Sequence, residues 1–192
     1  MNKLHLGCGH NILEGWVNTD SCPVSSDVLS LDVSKPFPLD DNQFDCVFSE
    51  HMIEHLSYVE GLSVLKESYR VLKKGGIIRV STPDIEFLIN LYNGHKTELQ
   101  KRYIKWATDT FISNAPSYSD TYVINNFVRD WGHLFIYDKK ILCDSLERAG
   151  FKSIRRCLLN ESSHEALRNL ENVTRMPAGF LALETFTLEA EK

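Results

Sequence analysis

The chain has few features that would place it outside ordinary globular proteins. Its five cysteines (Cys8, Cys22, Cys46, Cys143, Cys157) are odd in number, scattered, and contain no Cys-x-x-Cys pair. They read as free thiols in a reducing compartment, not as a disulfide framework. No block of Lys or Arg stands out, and the net charge is −5. A partner held mainly by phosphate charge, nucleic acid or a membrane surface, is therefore not expected. No apolar run approaches the ~18 residues a membrane span needs. The opening Met-Asn-Lys-Leu-His reaches Gly7 without an apolar core segment, so no signal peptide is expected. There is no internal repeat and no low-complexity tract. The expectation is a soluble cytoplasmic protein, with 192 residues forming a single domain, 1–192.

Short apolar runs alternate with helical patterns, the mark of an α/β sheet. Strands are expected at Lys3–Leu6, Trp16–Asp20, Val28–Val33, Phe44–Ser49 and Ile77–Ser81, with a final antiparallel pair at Phe151–Leu159 and Phe180–Leu188. The clearest helix starts at a Ser57/Glu60 capping box and runs along Leu62, Leu65, Tyr69 and Leu72. Lys73 and Lys74 suit its negative end, and Gly75-Gly76 supplies a left-handed stop. A second helix, Asp138–Gly150, also ends in glycine. Residues 90–137 hold ten of the 20 aromatics in a quarter of the length. They read as a helical insertion capping the substrate cleft, or more plainly as a helical layer whose aromatics are core.

The chemistry begins at Gly7-Cys8-Gly9, where the first strand empties into a glycine turn. Glycine there permits positive φ and a close ligand approach. Ligands of open α/β sheets bind at the carboxyl ends of the strands. The next two strands each end in an acid, Asp20 and Asp32. The first is placed to accept from both hydroxyls of a ribose, and the second from an adenine amino group. The plainer alternative makes both acids turn residues. The nucleotide reading is not a dinucleotide one, because the third glycine of G-x-G-x-x-G is missing and the acid follows Gly9 by only 11 residues. No P-loop lysine is present, which argues against ATP.

The strings LHLGCGHNILEGWVNTD, FDCVFSEHMIEHL and YRVLKKGGIIRVSTPD resemble the class I S-adenosylmethionine-dependent methyltransferases. The likeness is to a small bacterial and phage-type subgroup with GCG…GWxNxD, EHxxEH, RDWGH and ESSHxxLRxLE motifs, and it covers nearly the whole chain. It implies a Rossmann-like α/β sheet, mostly parallel with one antiparallel strand near the C-terminus, and helices on both faces. It implies that Gly7, Cys8 and Gly9 line the methionine end of S-adenosyl-L-methionine and that Asp20 holds the ribose. Asp32 and Val33 would border the adenine, and Glu50 would sit against the cofactor. The subgroup is associated with cell-surface glycan pathways, which implies O-methylation of a sugar or glycan precursor. Only six residues separate Gly9 from Trp16, where the family has a full helix. One side of the cofactor site is then open or closed by a second copy in a homodimer.

His51-Met52-Ile53-Glu54-His55 has the H-x-x-E-H spacing of a zinc peptidase, but it sits on too short a helix for one. Some methyltransferases acting on catechols or RNA 3′ ends carry Glu-x-x-Glu-His here with a later histidine, and bind a divalent ion. In this chain Glu54 and His55 match, His51 replaces the first acid, and His133 of Arg129-Asp130-Trp131-Gly132-His133 supplies the later histidine. A divalent metal is one reading. A general base without metal, His133 or His51, is the other. In the plainest reading Glu54 and His55 only cap and hydrogen-bond the loop after the fourth strand. Glu161-Ser162-Ser163-His164 and Arg168 are expected near the carboxyl edge, with Ser162 or Ser163 capping a helix at 164–171. Lacking a G-x-S-x-G elbow, they do not form a hydrolase triad. The expected activity is methyl transfer to oxygen, rather than nitrogen, of a small-molecule or glycan acceptor. Metal-assisted O-methylation of another hydroxylated substrate, a non-catalytic cofactor-binding module of the same fold, and a nicotinamide-dependent oxidoreductase are the alternatives.

Overall fold

The computed structural model describes residues 1–192. Seven strands form one sheet: β1 (Lys3–Leu6), β2 (Val17–Asp20), β3 (Leu29–Ser30), β4 (Phe44–Glu50), β5 (Leu72–Pro83), β6 (Lys152–Cys157) and β7 (Thr185–Glu191). The order is β3-β2-β1-β4-β5-β7-β6. β7 runs antiparallel to both neighbours, and the pairs from β3 across to β5 are parallel. Six helices complete the chain: α1 (Tyr58–Val71), α2 (Ile85–Tyr92), α3 (Glu98–Phe111), α4 (Asp120–Arg129), α5 (Lys139–Ala149) and α6 (Phe180–Glu184). None is long and apolar enough to cross a membrane.

The period-two alternation of the strands divides the core. Val47, Ile78, Val80, Phe186 and Leu188 face one side and pack against Leu65, Leu142 and Leu146 of α1 and α5. Cys46, Phe48 and Ile77 face the other, where Leu167 and Leu170 cover them. A separate small core joins α2, α3, α4 and α6 through Phe87, Leu91, Tyr103, Ile104, Phe127 and Phe180. Local signals fix the helix ends. Ser57 and Glu60 form the expected reciprocal cap, and Thr97 and Gln100 form another. Asp138 accepts from Ile141 N at 2.7 Å, and Gly150 closes α5 at φ +108°.

Four sequence expectations need correction. The Val28–Val33 strand shortens to Leu29–Ser30, an exposed edge pair, so Asp32 lies beyond it. Helix α1 stops at Val71, and Gly75-Gly76 is not its cap. Lys73, Lys74 and both glycines belong to β5, whose register with β4 slips between Leu72 and Ile77. Gly75, at φ +76°, donates its N–H to Lys192 O at that bulge. Phe180–Leu188 is not one strand. Gly179 turns at φ +88°, and α6 buries Phe180, Leu181 and Glu184 at helical spacing before β7 begins. Residues 164–171 form only a 3-10 turn at Glu165–Leu167. Asn160 draws the segment away from a helical ladder by bonding Asn169 N and Glu171 N.

One buried guanidinium ties the irregular layer to the sheet. Arg79 on β5 is fully buried. It donates to Glu171 Oε1 (2.7 Å) and Oε2 (3.1 Å), Glu189 Oε1 (2.7 Å), Glu161 O (2.9 Å) and Leu158 O (3.1 Å). Removing it leaves two carboxylates buried without their cation, a loss of about 3–5 kcal/mol for such pairs. Arg79→Ala is expected to lower unfolding stability by that order in urea and to open residues 158–171 to limited proteolysis. Wild-type protease resistance in that segment would contradict the assignment.

Candidate active site

The carboxyl ends of β1, β2, β4 and β5 meet at one edge of the sheet. Gly7 and Gly9 leave β1 at φ +63° and +49°. A Cβ on Gly7 would overlap Met52, whereas one on Gly9 would meet nothing within 4 Å, so the turn has open space in front of it. Asp20 at the end of β2 braces the turn: Oδ2 accepts from Gly9 N and Oδ1 from Cys22 N, both at 2.9 Å. Cys8 is buried, and burial raises its thiol pKa. Asp32 is exposed, and hydrogen bonds from Lys35 and Ser34 hold it down at about 2. Gly7, Asp20, Asp32 and Val33 line one cavity of ≈ 410 Å³, with His51, Met52 and His55 on its far wall. Glu50 lies outside that lining. Its carboxylate accepts from Asn172 N at 3.2 Å and from Asn11 Nδ2 at 3.4 Å.

His51 and His55 also line a second cavity of ≈ 270 Å³. Its walls are Tyr103, Trp106, Phe111, Phe127 and Trp131, and its polar groups are Glu54, His133, Arg175 and Glu184. Here the motif after β4 acquires its shape. His51 takes φ +46°, a conformation uncommon outside glycine, held by its N–H on Ser81 O at 2.8 Å. Its Nε2 lies 2.7 Å from Thr185 Oγ1, and its Nδ1 stands 3.4 Å from Glu54 Oε1 without forming a hydrogen bond to it. Glu54 is fully buried and pushed up to about 8 by burial. Its Oε2 accepts from Thr82 Oγ1, while Oε1 has no hydrogen-bond partner.

The backbone of Glu54 sets the next group. Its carbonyl accepts from Leu134 N (2.8 Å) and Phe135 N (3.1 Å), which pins the preceding residue, His133, beside His55, with ring centroids 5.1 Å apart. His133 Nδ1 donates to Phe127 O at 2.6 Å, so the carbonyl fixes the tautomer and leaves Nε2 with a lone pair. Burial lowers the pKa of His51, His55 and His133 alike. Glu54, His55 and His133 each offer one ligand atom, all within 4.8 Å of one another. The unpartnered Glu54 oxygen and an oxygen–nitrogen donor set fit a divalent transition ion. On the far wall Tyr103 donates its hydroxyl to Glu184 Oε2, and burial lifts Glu184 to about 7.

The comparisons with known proteins agree with this edge. Residues 14–80 match the family model described as "Methyltransferase domain". The chain has the fold of the class I, S-adenosylmethionine-dependent methyltransferases. A SAM-dependent methyltransferase from Archaeoglobus fulgidus is 17% identical with a TM-score of 0.57, over 100% of this chain and 86% of that one. A possible histamine N-methyltransferase from Thermotoga maritima is 16% identical with a TM-score of 0.54, covering 100% and 82%. The Haemonchus contortus phosphoethanolamine N-methyltransferase 2 bound to S-adenosyl-L-methionine is 13% identical with a TM-score of 0.52, covering 100% and 48%. No curated protein matches the chain.

The structure gathers Gly7, Asp20, Asp32 and Val33 on one cavity and Glu54 and His133 on the other, with His51 and His55 between. The Glu161–His164 run does not join them. Ser162 Oγ accepts from His164 N, and Arg168 Nε donates to Ser162 O. His164 lines a cavity with Met1, Asp45 and Ile77 at the opposite, amino end of the strands, because the segment doubles back over the sheet face from its anchor at Arg79. Glu184, Thr185 and Arg175 were not legible as site residues. An acid inside the apolar run Phe180-Leu-Ala-Leu-Glu184 was the one available signal.

The raised Glu54 pKa has a pH consequence. An acid at about 8 in the fold and near 4.5 unfolded keeps its full stabilising contribution below pH 4.5 and loses it as pH rises toward 8. With chelator present, wild-type stability relative to Glu54→Gln is expected to fall between those values, at up to about 1.4 kcal/mol per pH unit. Urea unfolding from pH 5 to 8 measures it, and a constant difference would show that Glu54 is ionised throughout.

Proposed function

We propose that this methyltransferase transfers a methyl group to a hydroxyl oxygen of a small hydroxylated acceptor of the sugar or glycan-precursor class. One observation carries the reading: a cavity floored by the glycine turn and two acids, and a second walled by aromatic rings and polar groups, share His51 and His55. When bound, S-adenosylmethionine supplies a sulfonium methyl that an in-line acceptor oxygen takes as the carbon–sulfur bond breaks and its electron pair stays on sulfur. Gly7, Cys8 and Gly9 present open backbone to the methionine end. Asp20 has lone pairs beyond its two backbone contacts for the ribose hydroxyls, and Asp32 and Val33 border the adenine. Glu50 acts behind the turn, where Asn11 joins it to the strand edge.

Alignment of the acceptor supplies most of the acceleration, and the chain's remaining task is the hydroxyl proton. His133 is the base. Its Nδ1–H is held by Phe127 O, its Nε2 is free, and its neutral imidazole accepts near pH 7. His51, its Nε2 bonded to Thr185 Oγ1, orients the wall instead. His55 stands across from His133 and closes the junction. Aromatic walls with a few convergent polar groups suit the C–H faces and hydroxyls of a sugar ring.

A second reading follows from the unpartnered Glu54 oxygen: Glu54, His55 and His133 hold a divalent ion, which would lower the pKa of a coordinated acceptor hydroxyl. His133 and His55 would then be ligands and the proton would leave to solvent.

S-adenosylhomocysteine is expected to raise the melting temperature of the wild type, and Asp20→Ala to weaken that binding. His133→Ala should leave cofactor affinity unchanged and lower kcat by about 10²–10⁴-fold. Failure of S-adenosylhomocysteine to bind, by calorimetry, would remove the reading. The two versions separate by elemental analysis and chelation: a stoichiometric ion whose removal abolishes turnover is expected of the metal site, and chelator-indifferent activity of the free base.

A further inference from the structure

One acid in the second cavity has no part in the methyl transfer described above. Glu184, the last residue of α6, lines that cavity and is only 5% exposed. Buried Tyr103 donates its hydroxyl to Oε2, whereas Oε1 has no hydrogen-bond partner and the carboxyl group forms no ion pair. The buried acids on the sheet are satisfied: Glu171 and Glu189 by Arg79, and Glu50 by Asn172 N and Asn11 Nδ2.

The position is built. Glu184 O accepts from Asp84 N at 2.8 Å, which ties the end of α6 to the start of α2. Thr185, next in the chain, stands 2.7 Å from His51 Nε2. Tyr103 is wedged between Phe87 and Phe180, with ring centroids at 5.1 and 5.2 Å. The carboxyl group is thus oriented before any ligand arrives, which reduces the ordering cost of binding. The small exposed part of Glu184 is cavity wall, and Oε1 is not sealed off by protein.

A buried carboxyl group with a single hydrogen bond carries a desolvation cost that a bound partner recovers. A hydroxyl both donates and accepts, so it bonds Oε1 whether or not the acid holds a proton. An ammonium only donates, so it needs the ionised carboxylate, and it would share the cavity with the Arg175 guanidinium. The rings of Trp106, Phe111, Phe127 and Trp131 complete the wall and suit the C–H faces between hydroxyls. At ≈ 270 Å³ the cavity is small, in keeping with an acceptor of about one sugar ring.

We propose that Glu184 is a specificity-determining residue, whose Oε1 receives a second hydroxyl of the acceptor while the hydroxyl to be methylated faces His55 and His133. Tyr103 is a positioning residue that acts by fixing the carboxyl group. This rests on the acceptor-cavity reading above and narrows its substrate class to polyols, whose ring presents one hydroxyl to the histidines and another to Glu184.

The test uses the full chain saturated with S-adenosylhomocysteine. It is titrated with cyclohexanol, its positional diols in cis and trans forms, and the corresponding aminocyclohexanols. Binding is followed by calorimetry and by tryptophan fluorescence, since Trp106 and Trp131 line the cavity. At least one diol is expected to bind about tenfold more tightly than cyclohexanol, and its isomer reports the spacing between the two sites. The double variant Tyr103→Phe with Glu184→Leu removes the carboxyl group without orphaning the phenol. It is expected to erase the diol preference and to leave cyclohexanol and S-adenosylhomocysteine affinity unchanged. Glu184→Gln, whose amide still bonds a hydroxyl, is expected to keep part of the preference, and Tyr103→Phe alone to weaken it. No diol tighter than cyclohexanol, a diol preference that survives the double variant, or tighter binding of an aminocyclohexanol than of its matching diol would overturn the proposal. Loss of S-adenosylhomocysteine binding by the wild type is a separate failure and falls on the methyltransfer reading itself.

Discussion

The candidate site depends on Arg79 buried in the middle of the sheet. Its five N–H donors each have an acceptor, two on Glu171, one on Glu189 and two on backbone carbonyls of residues 158 and 161. A desolvated guanidinium is tolerated only when it is so fully satisfied. By satisfying it, the 158–171 segment commits itself to lie across the sheet face where Cys46, Phe48 and Ile77 need cover. The polar anchor fixes the place, and the burial of Leu167 and Leu170 adds the apolar contribution.

That anchor reaches the site through a short chain of contacts. Glu171 fixes Asn172, Asn172 N caps Glu50 at the end of β4, and three residues later Arg175 and Met176 enter the wall of the second cavity. From the other side, Glu54 does the same work with its backbone. Its carbonyl holds residues 134 and 135, so the aromatic helical layer is joined to the sheet edge at His133. The two cavities therefore meet where two pinned segments meet, at His51 and His55. The strain of His51 is sustained by Ser81 O, Thr185 and Glu54 around it.

Much of this edge was legible locally. The glycine turn, the acids at Asp20 and Asp32, the Ser57/Glu60 cap and the Asp138…Gly150 helix are all decided within a few residues, by φ preference and by side chains bonding neighbouring amides. The errors fell where local and distant partners compete. Gly75 looks like a helix stop, but the backbone of Lys192, far along the chain, pairs with it and its neighbour and makes them strand. Phe180–Glu184 looks like the start of β7, but the small helical core offers Phe180 a better burial site. Glu161–His164 carries catalytic residue types, yet Arg79 sends it to the far end of the sheet.

The sequence by itself determined the class of fold, the glycine turn with its acids, and the histidine-rich motif after β4, because hydrophobic period, turn chemistry and short-range capping are properties of neighbouring residues. Only the tertiary structure decided which histidine has a free nitrogen, that Glu54 is buried without a partner for one oxygen, and that Arg175 and Glu184 face the same cavity. Those facts depend on how the segments holding these residues are brought together in the fold, as where Leu134 N reaches Glu54 O, and on the loss of water around them, neither of which any local pattern encodes.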